Sequence, residues 1–188
     1  RIFSILDPTE LEKSFKSFIQ SLDIDLIKEI ISLDGKTIRG SGNKRKKKSP
    51  LHMVSAWAAE HRVMLAQLKV EGKSNEINAM PKLLDIIDIK GSIITIDAMG
   101  CQKKIAQKII KKEADYVLSL KENQKLLHKD VKSIFEKAEE NKQKQYKNML
   151  HRRKIEKIKD HGRQEIRKYT LISARDPLMF ELRWPGLR

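Results

Sequence analysis

Apolar residues recur along this chain at two periods, and the changes between them mark the elements. In "DPTELEKSFKSFIQSLD" the residues Leu11, Phe15, Phe18 and Ile19 share one helical face. Asp7 stands as N-cap, Pro8 takes the first helical position and Glu10 follows three residues after the cap, so a helix is predicted over about 8–21. "EIISLD" is short and β-branched and stops at Asp34-Gly35, a turn signal, as a strand would. "PLHMVSAWAAEHRVMLAQLKVE" holds two apolar runs around "AEHR" and predicts a hairpin, with strands over about 51–59 and 62–70. "SNEINAMPKLLDIID" returns to helical spacing through Ile77, Met80, Leu83, Leu84 and Ile87. Ser74 is its expected N-cap, and Pro81 predicts a kink or a restart inside it. "GSIITID" lacks polar alternation and reads as a strand buried on both faces. An amphipathic helix ("GCQKKIAQKIIKKEA"), a strand ("DYVLSLKEN") and a helix that turns polar and basic after Glu139 ("QKLLHKDVKSIFEKAEENKQKQYKNML") follow. Last, "GRQEIRKYTLIS" alternates at a period near two and predicts a strand over about 164–173.

One helix followed by β-β-β-α-β-α-β-α predicts an α/β protein, a mixed sheet with helices on its faces. The chain opens on Arg1 and closes on "ELRWPGLR", and both ends read as cut from something longer. On that reading residues 1–25 are the tail of an N-terminal module and 26–188 are the main domain.

Charge narrows the class. Lys and Arg number 40 against 25 Asp and Glu, a formal net charge of +15. Such an excess favours a polyanionic partner, nucleic acid first; the alternative is a basic protein with no such partner. Lys44, Arg45, Lys46, Lys47 and Lys48 form an unbroken basic run between Gly42 and Pro50, read either as a phosphate-contacting loop or as a solvated charge run. Aromatic residues are only 5%, which argues against a base-stacking platform for single strands. The only cysteine, Cys101, excludes an intramolecular disulfide framework and fits a reducing compartment. No apolar run approaches the roughly 20 residues of a membrane helix. No G-x-G-x-x-G or P-loop motif occurs, and His52, His61, His128, His151 and His161 lack zinc spacing.

The candidate chemistry lies at two strand ends. The element order is similar to that of the ribonuclease H-like fold, in which the first and fourth strands lie side by side and parallel. Here those strands end in Asp34 and Asp97. Each aspartate alone has a plain explanation, Asp34 in a turn with Gly35 and Asp97 as a helix cap. Together they form a carboxylate pair, and oxygen-only ligands suit Mg²⁺ or Mn²⁺ rather than zinc.

Five blocks then carry a family resemblance: "SLDGKTIRGS", "LHMVSAWAAE", "KSNEINAMPKLLDIIDIKGSIITIDAMGCQKKIA", "YVLSLKENQ" and "HGRQEIRKYT". In this order, over nearly the whole chain, they resemble the DDE transposases of bacterial insertion sequences, in particular the H-repeat-associated group. The resemblance implies that Asp34 and Asp97 are metal-binding catalytic acids and that Mg²⁺ or Mn²⁺ is the cofactor. It implies cleavage of double-stranded DNA at transposon ends and joining to target DNA, in the bacterial cytoplasm and at the nucleoid; a homodimer is left open. It also implies a third acid, on a helix with a tryptophan followed shortly by Glu-Asn, and no such segment occurs before Arg188. Glu165 is the tempting substitute, but its stretch alternates like a strand. The expectation is therefore a transposase core in an incomplete or inactive copy, with a non-catalytic DNA-binding remnant as the alternative. Lys36 and Arg39, close after Asp34, are read as phosphate contacts or ordinary loop charges. Lys121 and Asn123 are read as site-edge residues or, for Asn123, a helix cap; the family more often has glycine where Glu122 stands. Arg163 and Arg167 are read as DNA contacts or as partners of Glu165. Trp57 and Trp184 are expected in the core.

Overall fold

The computed structural model describes residues 5–42, 49–70, 75–140, 150–160, 163–172 and 184–187. The chain forms two compact units, Arg1–Leu120 and Lys121–Arg188. The first holds α1 (Pro8–Ser21), β1 (Ile30–Thr37), β2 (His52–Ala58), β3 (Val63–Val70), α2 (Glu76–Ile86), β4 (Ile93–Ile96), α3 (Lys103–Lys111) and β5 (Asp115–Leu118). The second holds α4 (Lys125–Glu140), β6 (Leu150–Asp160) and β7 (Arg163–Ile172).

Helix α1 begins where its capping signal stands, the Glu10 amide donating to Asp7 Oδ1 at 3.1 Å. In the first unit the strands form a mixed five-stranded sheet in the order β3-β2-β1-β4-β5. β1 pairs antiparallel with β2 and β2 with β3, whereas β1–β4 and β4–β5 are parallel. Parallel neighbours need crossover connections, and α2 and α3 supply them. One sheet face carries Ile31, Leu33, Val54, Ala56, Ile94 and Ile96, all buried. Met80, Leu83 and Leu84 of α2 and Ile105 and Ile109 of α3 pack into the same core. Each fully buried aliphatic side chain contributes roughly 1.5–3 kcal/mol as an upper figure.

The opposite face is only partly covered. Ile30, Trp57 and Val117 are 39%, 40% and 61% exposed there. Two expectations change for this reason. β4 is buried through Ile94 and Ile96, but Ile93 and Thr95 are half-buried rather than fully enclosed. Trp57 is a surface residue, because it alternates with the buried Ala56 and Ala58. Trp184, in the second unit, is buried as expected. Pro81 does not interrupt α2, which runs through it. Ser74, expected to cap that helix, lies outside the described residues.

In the second unit β6 and β7 form a two-stranded antiparallel ribbon. β7 occupies the stretch whose period-two pattern predicts it. β6 has no counterpart in the sequence reading. Its Ile155 and Ile158 stand three apart, a spacing that marks no single strand face, and its other residues are mostly charged. Pairing with β7 supplies the order that its own pattern lacks.

Candidate active site

The parallel register between β1 and β4 runs Ile30↔Ile93, Ile31↔Ile94, Ser32↔Thr95 and Leu33↔Ile96. The next residue on each strand is aspartate. Asp34 lies inside β1, which does not turn at Asp34-Gly35 as expected but runs on to Thr37 because pairing with β2 continues there, and Asp97 keeps extended backbone (φ −68°, ψ 179°) one residue past β4. Continuing the register by one step sets the two level on strands that run about 4.8 Å apart. Strand alternation places both on the partly covered face. One step earlier on that face, the hydroxyls of Ser32 and Thr95 are hydrogen-bonded at 3.0 Å. Both aspartates are exposed. Two aspartates 63 residues apart in sequence thus fall at one level of the sheet.

Asp97 also caps the short 3₁₀ turn Ala98–Gly100. The amides of Met99 and Gly100 donate to it at 3.0 and 3.3 Å, both to Oδ1. The cap makes no use of Oδ2, so capping and metal binding do not compete for the same atom.

The glycines near the aspartates are set by close neighbours, Gly35 by α2 and Gly100 by β4 and α2 together. A Cβ at Gly35 would overlap the carboxylate of Glu76, and one at Gly100 would overlap Ile96 and lie 2.8 Å from Met80 Sδ. Beside Gly35 a chain of contacts runs from the exposed Thr37 to the buried His52 and Glu76. Thr37 Oγ1 and His52 Nδ1 share a hydrogen bond at 2.8 Å, and His52 Nε2 pairs with Glu76 Oε1. Those last two atoms have no other partner among the described residues. At the other end of β1, Glu29 is buried and pairs with His61, and it accepts the Glu60 amide at 2.9 Å. Burial pushes the Glu29 carboxyl up, but the Glu60 amide and His61 outweigh it and hold the group below its ordinary value. The sequence reading assigned no role to His52, Glu76, Glu29 or His61. Buried glutamates at strand and helix starts are the signal it lacked, and burial is a tertiary property.

The remaining candidates are scattered. Lys36 is exposed on β1, two residues beyond Asp34 and on the same face. Arg39 lies exposed in the turn after β1. Lys44, Arg45, Lys46, Lys47 and Lys48 lie outside the described residues. Lys121 opens the second unit, and Asn123 sits inside the 3₁₀ turn Glu122–Gln124 rather than capping a helix. Glu165 is exposed on β7 and paired with Arg167 at 2.9 Å. Each partner stabilises the charge of the other, lowering the Glu165 carboxyl and raising the Arg167 guanidinium. Arg163 opens β7, opposite Asp160 in register. Cys101 is buried ahead of α3 rather than within it, and burial pushes its thiol up. Among the described residues no three His, Cys, Asp or Glu side chains converge as a metal cage. No helix among them is long and apolar enough to cross a membrane.

The structure thus supplies a mixed sheet with two aspartates level on adjacent parallel strands, and comparison with known proteins supplies the family. The profile of the "Transposase DDE domain" family matches residues 25–177. The chain is 44% identical over 190 residues to "Putative transposase YncI" of Escherichia coli O157:H7, covering 100% of this chain and 47% of that protein. It is 38% identical over 189 residues to "H repeat-associated putative transposase YhhI" of Escherichia coli (strain K12), covering 100% and 48%. Against "H repeat-associated putative transposase YbfD" of the same strain the identity is 37% over 179 residues, covering 95% and 68%. The chain belongs to the DDE transposase family, in its H-repeat-associated group. It spans about half the length of the first two of these relatives.

Proposed function

We propose that this chain is the ribonuclease H-like core of an insertion-sequence transposase and carries two of its three catalytic acids, Asp34 and Asp97. The observation behind this is their common level and common face just past the last β1–β4 pair, Leu33↔Ile96. Two exposed carboxylates fit a hard divalent ion such as Mg²⁺ or Mn²⁺, which takes few protein ligands and keeps several waters. When bound at such a site, a pair of ions supplies activation of the attacking oxygen and stabilisation of the leaving oxygen in an in-line displacement. The chain's own part is positional. The Asp97 cap holds one carboxylate at the turn, and the Gly35–Glu76 contact fixes the backbone beside the other. The net charge of +15 brings DNA to this site.

The pairing of Glu165 with Arg167 supports a third acid other than Glu165. The 188-residue chain then binds divalent ions and duplex DNA without cutting. Paramagnetic broadening by Mn²⁺ tests the site: it should reach the Asp34 and Asp97 amides first, and Asp34→Ala or Asp97→Ala should each abolish it. Cutting of transposon-end DNA by the chain, lost in Glu165→Gln with the fold intact, would instead make Glu165 the third acid. Broadening that ignores both aspartates would overturn the site.

A further inference from the structure

The register of the β6–β7 ribbon sorts its charges by face. Arg153 opposes Thr170, Ile155 opposes Lys168, Lys157 opposes Ile166 and Lys159 opposes Gln164. Alternation puts these on one side of the ribbon, and that side has four cations and no acid. The other side pairs Lys154 with Tyr169, Glu156 with Arg167 and Ile158 with Glu165. Its acids are already used: Lys154 holds Glu156, and Arg167 holds Glu165. That side, which also carries Arg152 opposite Leu171, thus has both of these acids paired and one cation over, whereas the first carries four cations and no acid. The uncompensated face also exposes Ile155 and Ile166 to 63% and 61%. The other face exposes Tyr169 and Leu171 to 47% and 60%, so the unmatched cations, and not apolar exposure, single this face out.

We infer that the Arg153, Lys157, Lys159 and Lys168 face of the ribbon docks in the major groove of duplex DNA. This rests on the reading of the protein as a DNA-acting transposase. A two-stranded ribbon fits a groove about 12 Å wide. Ten residues of strand span roughly 34 Å, about one helical turn of B-form DNA. The cations meet phosphates along the groove walls, and Ile155 and Ile166 meet its floor, where the thymine methyl is the apolar group. This separates Arg167 from the binding face, since its guanidinium is engaged with Glu165 on the reverse.

The test compares two double variants of the full chain that lose the same charge: Lys157→Thr with Lys168→Thr, and Lys154→Thr with Arg167→Thr. Binding to a short mixed-sequence duplex is followed against salt. The first pair should lower the log–log salt slope by about 1.8, twice the ~0.9 expected per phosphate. The second should leave the slope nearly unchanged. Ile155→Ser with Ile166→Ser should weaken binding at unchanged slope. Independently of any variant, acetylation of the wild-type chain should be blocked by DNA at Lys157, Lys159 and Lys168 and not at Lys154. Equal slope losses in the two charge variants, or equal protection of Lys154, would overturn the docking face while leaving DNA binding intact. Equal competition by duplex RNA, whose deep narrow major groove excludes a ribbon, would overturn the groove placement. If the wild-type chain binds no DNA at low salt, the transposase reading itself fails, a result distinct from all the others.

Discussion

Glutamates in the two units show opposite uses of the same side chain. In the sheet unit Glu29 and Glu76 are buried and each is matched to one histidine. In the ribbon unit Glu165 is exposed and Glu156 partly so, and their partners are Arg167 and Lys154 on a wet surface. A buried charge without its partner is costly, because neither water nor another dipole replaces what was lost. An exposed pair is screened and nearly neutral in stability. The sheet unit therefore uses its Glu–His contacts to hold β1 and its neighbours in place, whereas the ribbon unit uses its acids to offset cations on one face. Rigidity around Asp34 and an uncompensated basic surface on the ribbon come from the same chemistry at different depths.

The chain is suited to testing this contrast, since Trp57 lies in one unit and Trp184 in the other. Trp184→Phe leaves fluorescence reporting the sheet unit, and Trp57→Phe leaves it reporting the second. The largest effect is expected from Glu76→Ala, which strands His52 Nε2 in the core. Urea unfolding seen by Trp57 should shift by roughly 3–5 kcal/mol, with little change at Trp184. A shift below 1 kcal/mol, about the ceiling for an exposed pair, would mean that burial does not govern this ion pair. Next, Ile94→Ala should destabilise the sheet unit by roughly 2–5 kcal/mol. Ile155→Ala, at a residue 63% exposed, should leave the Trp184 transition within about 0.5 kcal/mol. Similar losses in both would erase the distinction between a core and a ribbon.

The smallest effect is a pH dependence. The Glu29 carboxyl lies below its ordinary value of 4.5 when folded. The unfolded state therefore takes up a proton first as pH falls. Stability from this group is complete above about 4.5 and is lost as pH drops through the folded value. Glu29→Gln should flatten the acid limb of sheet-unit stability measured between the ordinary and folded values. An unchanged limb would show that other carboxylates carry it.

Much of the fold was legible because its signals are local. Asp7-Pro8 with Glu10 announced α1, and the runs around "AEHR" announced the β2–β3 hairpin. β6 was not legible, because a ribbon strand exposed on both faces needs no apolar alternation and its order comes from a partner strand. Trp57 was misplaced for a related reason. An aromatic residue in a strand of small apolar neighbours looks internal until the register assigns it to a face.

By itself the sequence determined the family, the basic character and the two aspartates as candidates, with Asp34 expected at a strand end that β1 in fact passes by three residues. Those properties follow from residue identity, short-range periodicity and the order of motif blocks. Only the tertiary structure decided that Asp34 and Asp97 stand level on one face, because parallel register is a relation between strands distant in sequence. It alone decided that His52 and Glu76 pair in the core and that Glu76 lies against Gly35. It also decided that Glu156 and Glu165 fall on one ribbon face and leave four cations without an acid on the other. Burial and cross-strand pairing set the energy of a charge, and neither exists until the chain has folded.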